Sequence, residues 1–250
     1  MKLWKGNTIP LVIAFVMAAL ASCSNRNGLQ PVHGLGGNVL EHPTLAPDFT
    51  LTDQHGSSFH MADTNGKVVL MTFIYTHCTD ICPFEAVKVK AARSLSGNDA
   101  SRVEFVTITT DPKRDTPSVM GAYSKALGMD DTWHFVGGDP KAVQAVWSSY
   151  GIGVSVDPGT GAVAEGHDGH EKESHEATMD MSDRGLTRGL SDGDLDLVGQ
   201  IVQQFGGGYD VGHSAPFWLV DKRGYLRTVM DGGATPEELV KNIRILLSLR

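Results

Sequence analysis

Residues 75–85 read YTHCTDICPFE and set Cys78 and Cys82 four positions apart, the second directly ahead of Pro83. Two thiols this close have two chemistries open to them. They can close into a disulfide, or act as thiolates that clamp a soft metal ion. The familiar redox spacing, Cys-x-x-Cys, is one residue shorter. If the pair straddles the start of a helix, positions i and i+4 stack on one face with Cβ atoms about 5–6 Å apart. A disulfide wants them nearer about 4 Å, so bridging calls for a partly unwound first turn, which is compatible with a proline just beyond. A helix N-terminus favours the thiolate, which is both the nucleophile and the metal ligand. The plain alternative is a structural bridge, although closing so short a loop gains little chain entropy.

Two sulfurs alone leave Cu(I) or Zn short of ligands, so a metal reading demands a third donor elsewhere in the chain. Sites in α/β folds lie at the carboxyl ends of the strands, which directs attention to histidines just outside other strands of one sheet. His213, directly before the apolar run APFWLV (215–220), meets that requirement. By itself it also fits a loop histidine bonded to backbone. His77, next to Cys78, is expected to point away from its neighbour and is left out of the ligand set. Asp111 and Asp115, in DPKRDTP (111–117), are candidates to orient a docking partner, or equally to form a turn and cap a helix.

The elements that must position these residues read clearly. APDFTLTDQHG and SSFHMAD (46–63) alternate around a turn at 53–56, as a hairpin does. KVVLMTFIY (67–75) and VEFVTITT (103–110) are continuous apolar runs, as expected of strands buried on both faces. PFEAVKVKAARSLS (83–96) predicts a helix with Pro83 in its first turn. DPKRDTPSVMGAYSKALG (111–128) predicts a loop and then a helix with Thr116 at the N-cap and Pro117 first inside it. WHFVGG suggests a short strand, and DPKAVQAVWSSYG (139–151) a helix ending at Gly151. HSAPFWLVD and GYLRTVMDG form a hairpin turning at 222–224, and TPEELVKNIRILLSLR (235–250) closes the chain as an amphipathic helix. Alternating strands and helices that finish with a hairpin and a helix predict an α/β, thioredoxin-like fold: a central mixed sheet flanked by helices.

Three motifs in order, TDICP around Cys82, DPKRDTP at 111–117 and YDVGHS at 209–214 before an apolar strand, resemble the Sco/SenC family of copper-binding cytochrome c oxidase assembly proteins. The resemblance covers roughly residues 44–250. It implies that Cys78, Cys82 and His213 hold one copper ion, Cu(I) and/or Cu(II). It also implies an acceptor, either the oxidase subunit carrying the CuA site or another copper acceptor, and a periplasmic thiol reductant to keep the dithiol open. A thiol-disulfide oxidoreductase, or a redox or copper sensor using the same dithiol, is the alternative. A peroxiredoxin-like enzyme is disfavoured because Thr76 stands two residues before Cys78, which breaks the Thr-x-x-Cys spacing.

The formal charge of −8 lacks the basic stripe that phosphate recognition wants, so no nucleic-acid partner is expected. At the N-terminus, Lys2 and Lys5 precede an apolar stretch from Pro10 to Ala21, the layout of an export signal. Leu20-Ala21-Ser22-Cys23 then resembles a lipobox, with Cys23 as the lipidated residue. Cleavage elsewhere, leaving a soluble periplasmic protein, is the other reading. The expected organisation is a signal peptide over 1–23, a flexible tether over 24–43 and a copper-binding domain over 44–250. The expected location is the bacterial cell envelope, lipid-anchored to a membrane and facing the periplasm or outside. The domain carries an insertion around 155–208, partly disordered, in which His167, His170, His175, Met179 and Met181 form either a weak auxiliary metal site or a solvated loop. Leu195, Val198, Ile201, Val202 and Phe205 have the spacing of a packed helix downstream of it.

Overall fold

A computed structural model describes residues 32–156 and 185–249 of the chain. The leader with Cys23, the start of the tether (24–31) and the His- and Met-bearing stretch 165–183 lie outside the described residues. In chain order, an edge strand β1 (Asn38–Val39) precedes the hairpin of β2 (Thr50–Thr52) and β3 (Ser58–His60). The turn of that hairpin is closed by the Asp53 carboxylate, which accepts from the backbone N–H of His55 at 2.9 Å and of Ser57 at 2.8 Å. Then come β4 (Val68–Ile74), α1 (Ile81–Ser96), β5 (Val103–Thr109), α2 (Pro117–Leu127), β6 (His134–Val136), α3 (Pro140–Ser149) and β7 (Val154–Val156). The second described stretch holds α4 (Asp192–Phe205), β8 (Val211–His213), β9 (Phe217–Val220), β10 (Leu226–Met230) and α5 (Pro236–Ser248).

Six strands form one mixed sheet in the order β1-β10-β9-β4-β5-β6. β4, β5 and β6 run parallel, whereas β9, β10 and β1 add antiparallel neighbours on the other side. β4 is central and every one of its residues is buried. Its side chains alternate between two cores, as the two-residue period of a strand requires. Val68, Leu70 and Ile74 pack under α1, α2, α4 and α5 with Phe105, Tyr123, Phe135 and Leu239. Val69, Met71 and Phe73 meet Phe49, Val143 and Tyr150, beneath the β2–β3 hairpin and α3. This is the expected thioredoxin-like arrangement.

The start of α2 is fixed as its sequence predicts, and the structure adds the caps of α4 and α5. Thr116 accepts from the Val119 N–H at 3.4 Å with Pro117 at the first position. Reciprocal capping boxes join Ser191 with Asp194 and Thr235 with Glu238. One boundary is corrected. A tether reaching Pro43 runs too far, because Asn38 and Val39 pair with Val229 and Thr228 of β10. Those bonds are made by backbone and are supported by Gly36 N–H donating to Asn242 Oδ1 at 2.8 Å. Gly37, with φ +82°, lets the chain pass so close that an added Cβ would sit 2.6 Å from the Val229 carbonyl. A polar, glycine-rich composition carries no sign of such an edge.

Candidate metal centre

The site grows from the carboxyl end of β4. Strand β4 delivers Tyr75, a turn holds His77 and Cys78, and α1 begins at Ile81, so that Cys82 lies in its first turn. The two cysteines therefore do straddle the helix start, and both are free thiols, 3% and 0% exposed. Asp80, at the N-cap position, makes no side-chain capping bond.

His213 comes from the far side of the sequence for a topological reason. β9 runs antiparallel to β4, with Met71 opposite Trp218, so the residues that precede β9 lie beside those that follow β4. His213 ends β8, which pairs with β7 through the register His213 to Val154, forming a ribbon apart from the main sheet. Its Nε2 stands 3.3 Å from the Cys82 sulfur. Its Nδ1 lies 3.2 Å from the Ser214 carbonyl, which can only accept, so Nδ1 carries the proton and Nε2 presents a lone pair. A histidine whose second nitrogen is tied to a backbone carbonyl is the usual form of a metal ligand.

The protons of this group are unequally placed. The hydrogen bond from the Cys82 thiol, then the Cys82 and Asp80 N–H groups and the Tyr75 hydroxyl, outweigh burial and lower Cys78 to about 7. Burial first, and then the neighbouring Cys78 charge, push Cys82 well up. Burial holds His213 below the ordinary imidazole value, opposed by the Ser214 carbonyl, so the ring is neutral. Cys82 thus owns one proton with two acceptors in reach, the Cys78 sulfur and the His213 lone pair. Two sulfurs and one imidazole nitrogen in this arrangement suit a soft or borderline cation such as copper or zinc. Among the described residues no three His, Cys, Asp or Glu side chains are already drawn into a finished cage. A metal ion held there would have to displace the Cys82 proton and draw the three donors closer together.

The other candidates fall outside the donor set. The His77 ring turns its Nδ1 toward Thr76 Oγ1 at 2.8 Å, and its carbonyl accepts from Gly207 N–H at 3.1 Å. Asp115, 1% exposed, accepts from Thr76 Oγ1 at 2.5 Å and Thr109 Oγ1 at 2.6 Å, which fastens the turn after β4 to the end of β5. Asp111 is 3% exposed and bonded to Arg114 and Tyr209, so both aspartates are structural knots in the turn. Sequence reasoning missed Tyr75, although it stands in the opening motif. Its hydroxyl accepts from Val211 N–H at 3.2 Å, and its ring meets the His213 ring edge-on at 5.7 Å. Glu85, fully buried one turn beyond Cys82, was also unremarked, and burial raises its carboxyl well above the usual range. A wide surface depression lies at the opposite sheet end, lined by Lys67, Arg93, Glu104 and His134, with none of the site residues.

The SCO1/SenC family model matches residues 38–185, more than half of the chain. The chain belongs to the SCO1/SenC family. Protein sco1 of Schizosaccharomyces pombe is 40% identical over 86 residues, 34% of this chain and 33% of that protein. An SCO2-like protein of Rickettsia felis is 31% identical over 126 residues, 48% of this chain and 62% of its own. The alignments thus span from a third to just under two thirds of these curated relatives' length. The copper-bound ScoI of Bradyrhizobium japonicum superposes with a TM-score of 0.57 at 24% identity, covering 81% of this chain and 99% of that one. That likeness bears out the thioredoxin-like Sco fold.

Proposed function

We propose that this SCO1/SenC protein carries copper as cargo, one ion held by Cys78, Cys82 and His213, and delivers it to an acceptor such as the CuA site of cytochrome c oxidase. The observation that carries the reading is the His213 Nε2 lone pair set 3.3 Å from the Cys82 sulfur, with its Nδ1–H tied to a backbone carbonyl. The copper in the Bradyrhizobium japonicum relative supports the choice of metal. In this reading Cys23 is lipidated and the domain faces the periplasm or outside from a membrane anchor. Among the described residues no helix is long and apolar enough to cross a membrane.

Loading needs the reduced site. A dithiol reductant attacks the Cys78–Cys82 disulfide, forms a mixed disulfide and then its own disulfide, and leaves both cysteines reduced with two electrons gained. Copper then displaces the Cys82 proton and whatever proton Cys78 holds. Release follows by ligand exchange, one donor of this site letting go as one from the acceptor attaches. The unequal thiols, Cys78 at about 7 and Cys82 well above it, also suit a thiol reductase, with Cys78 attacking a target disulfide and Cys82 resolving the mixed disulfide. The two readings part at His213, which only the copper site requires. Anaerobic Cu(I) titration of the reduced protein is expected to give one tightly bound ion, weakened in Cys78→Ser, Cys82→Ser and His213→Ala. Unchanged binding by His213→Ala, together with full reductase turnover, would favour the thiol chemistry instead.

A further inference from the structure

We propose that Arg114 is a positioning residue that holds the His213 loop against the dithiol, an inference that rests on the copper-site reading above. The loop between α4 and β8 opens with Gly206-Gly207-Gly208, and Gly207 and Gly208 have φ of +125° and +87°. Three glycines in a row have no intrinsic preference for one path, so something outside the loop must select it. The Arg114 guanidinium does so with all its nitrogens. Nη1 donates to the Gly207 carbonyl at 3.1 Å, Nη2 donates to the Tyr209 carbonyl at 2.9 Å, and Nε pairs with the Asp111 carboxylate. Its central carbon also stands over the Tyr209 ring, 3.6 Å from the centroid, while the Tyr209 hydroxyl donates to the other Asp111 oxygen at 2.8 Å. Gly208 is crossed so closely that an added Cβ would stand 2.7 Å from Nη1.

The grip continues to the metal site. The guanidinium sits 5.6 Å from the Tyr75 ring centroid, and Tyr75 in turn takes the Val211 N–H and meets the His213 ring. Arg114 therefore spans the turn that follows β5 and the loop that brings His213, without touching a donor atom itself. Only a planar fork can hold two carbonyls, a carboxylate and an aromatic face together, so lysine cannot replace it. Losing the grip would lower the fraction of molecules with Nε2 in place, and apparent copper affinity falls in proportion to that fraction.

The test is a double-mutant cycle on the full-length protein in detergent, reduced and anaerobic, read by Cu(I) competition with a chromophoric chelator. Arg114→Met is expected to weaken binding about 10- to 100-fold when His213 is present, the range typical of groups that orient a ligand. In the His213→Ala background it is expected to change binding little. Arg114→Lys should resemble Arg114→Met, and Tyr209→Phe should move binding less in the same direction. Equal weakening in both backgrounds, or none in either, would overturn the positioning role. Amide hydrogen exchange of residues 207–213 in the metal-free protein judges the grip separately, and it should quicken in Arg114→Met while β4 keeps its protection. Unchanged exchange would overturn the proposal even if copper binds, whereas quickened exchange with no copper bound by the wild type would uphold the grip and defeat the copper reading.

Discussion

The two halves of the site are held in opposite ways. The dithiol turn hangs between β4, buried along its whole length, and the sixteen-residue helix α1, with Asp115 fastening it to β5. The His213 segment hangs between a glycine run and the two-stranded β7–β8 ribbon, and side-chain contacts from Arg114 and Tyr75 set its path. Regular backbone pairing under a large core resists local opening, whereas a short ribbon and a loop open cheaply. The sulfurs are thus the fixed part of the site and the imidazole the movable part. For the copper carrier proposed above, one donor on the less stable element would ease release of the ion.

The largest expected effect comes from the fixed half. Cys78→Ser or Cys82→Ser should weaken copper binding most, while His213→Ala should weaken it less and leave two-sulfur binding, which equilibrium dialysis against a competing chelator would distinguish. If His213→Ala proved as damaging as either serine, the division into fixed and movable halves would fail.

Next in size is the response to pH, which isolates the sulfurs. Protons compete with copper for both thiols below about 7, where Cys78 is protonated, and only for Cys82 above it. Copper affinity should then rise with pH by about 100-fold per unit below that point and about tenfold per unit above it, since each displaced proton contributes a factor of ten. Titrations between pH 5.5 and 9, chosen as about 1.5 to 2 units on either side, would show no pH dependence above about 7 if both thiols titrated there, and a single slope throughout if both titrated above the range.

Tyr75 joins the halves. Tyr75→Phe removes the acceptor of the buried Val211 N–H and a donor to Cys78, so it should destabilise the fold by about 1–3 kcal/mol in urea unfolding and raise the Cys78 pKa. A change in stability with no change in thiol titration would mean that Tyr75 serves the His213 segment alone.

The smallest effect tests the foundation under Cys82. Burial raises the Glu85 carboxyl above its unfolded value, so its ionisation opposes folding: stability is full below the unfolded carboxylate pKa and is lost as pH rises. Glu85→Gln should therefore unfold at a higher temperature than wild type at pH 8 and nearly the same temperature at pH 4. Loss of stability at pH 8 would show that the Lys88 charge nearby holds Glu85 ionised in the fold.

Much of this was legible in local sequence. Thr116-Pro117 and Thr235 with Glu238 announce helix starts through bonds spanning three residues, and the run Val68–Ile74 announces a central strand by having no polar face. The dithiol lies within one turn, so its geometry follows from spacing. His213 was reached through its place just outside an apolar strand and the YDVGHS motif, and the structure supplies the reason for its position, since antiparallel β9 starts beside the end of β4. The contacts that shape its loop were not reachable, because Arg114 meets Gly207 and Tyr209 over separations of 93 and 95 residues. Tyr75 meets Val211 over 136, and an arginine or tyrosine carries no mark of such a partner. β1 escaped for another reason, since an edge strand built on backbone pairing beside two glycines leaves no hydrophobic pattern.

The central claim, one copper held by two sulfurs and one imidazole, is tested most directly by copper-edge X-ray absorption of the reduced, loaded protein beside its His213→Ala variant. The expected wild-type spectrum contains two sulfur scatterers and one imidazole nitrogen, and the variant keeps the sulfurs and loses the imidazole signature. An identical first shell in both proteins would contradict the assignment of His213 as a ligand.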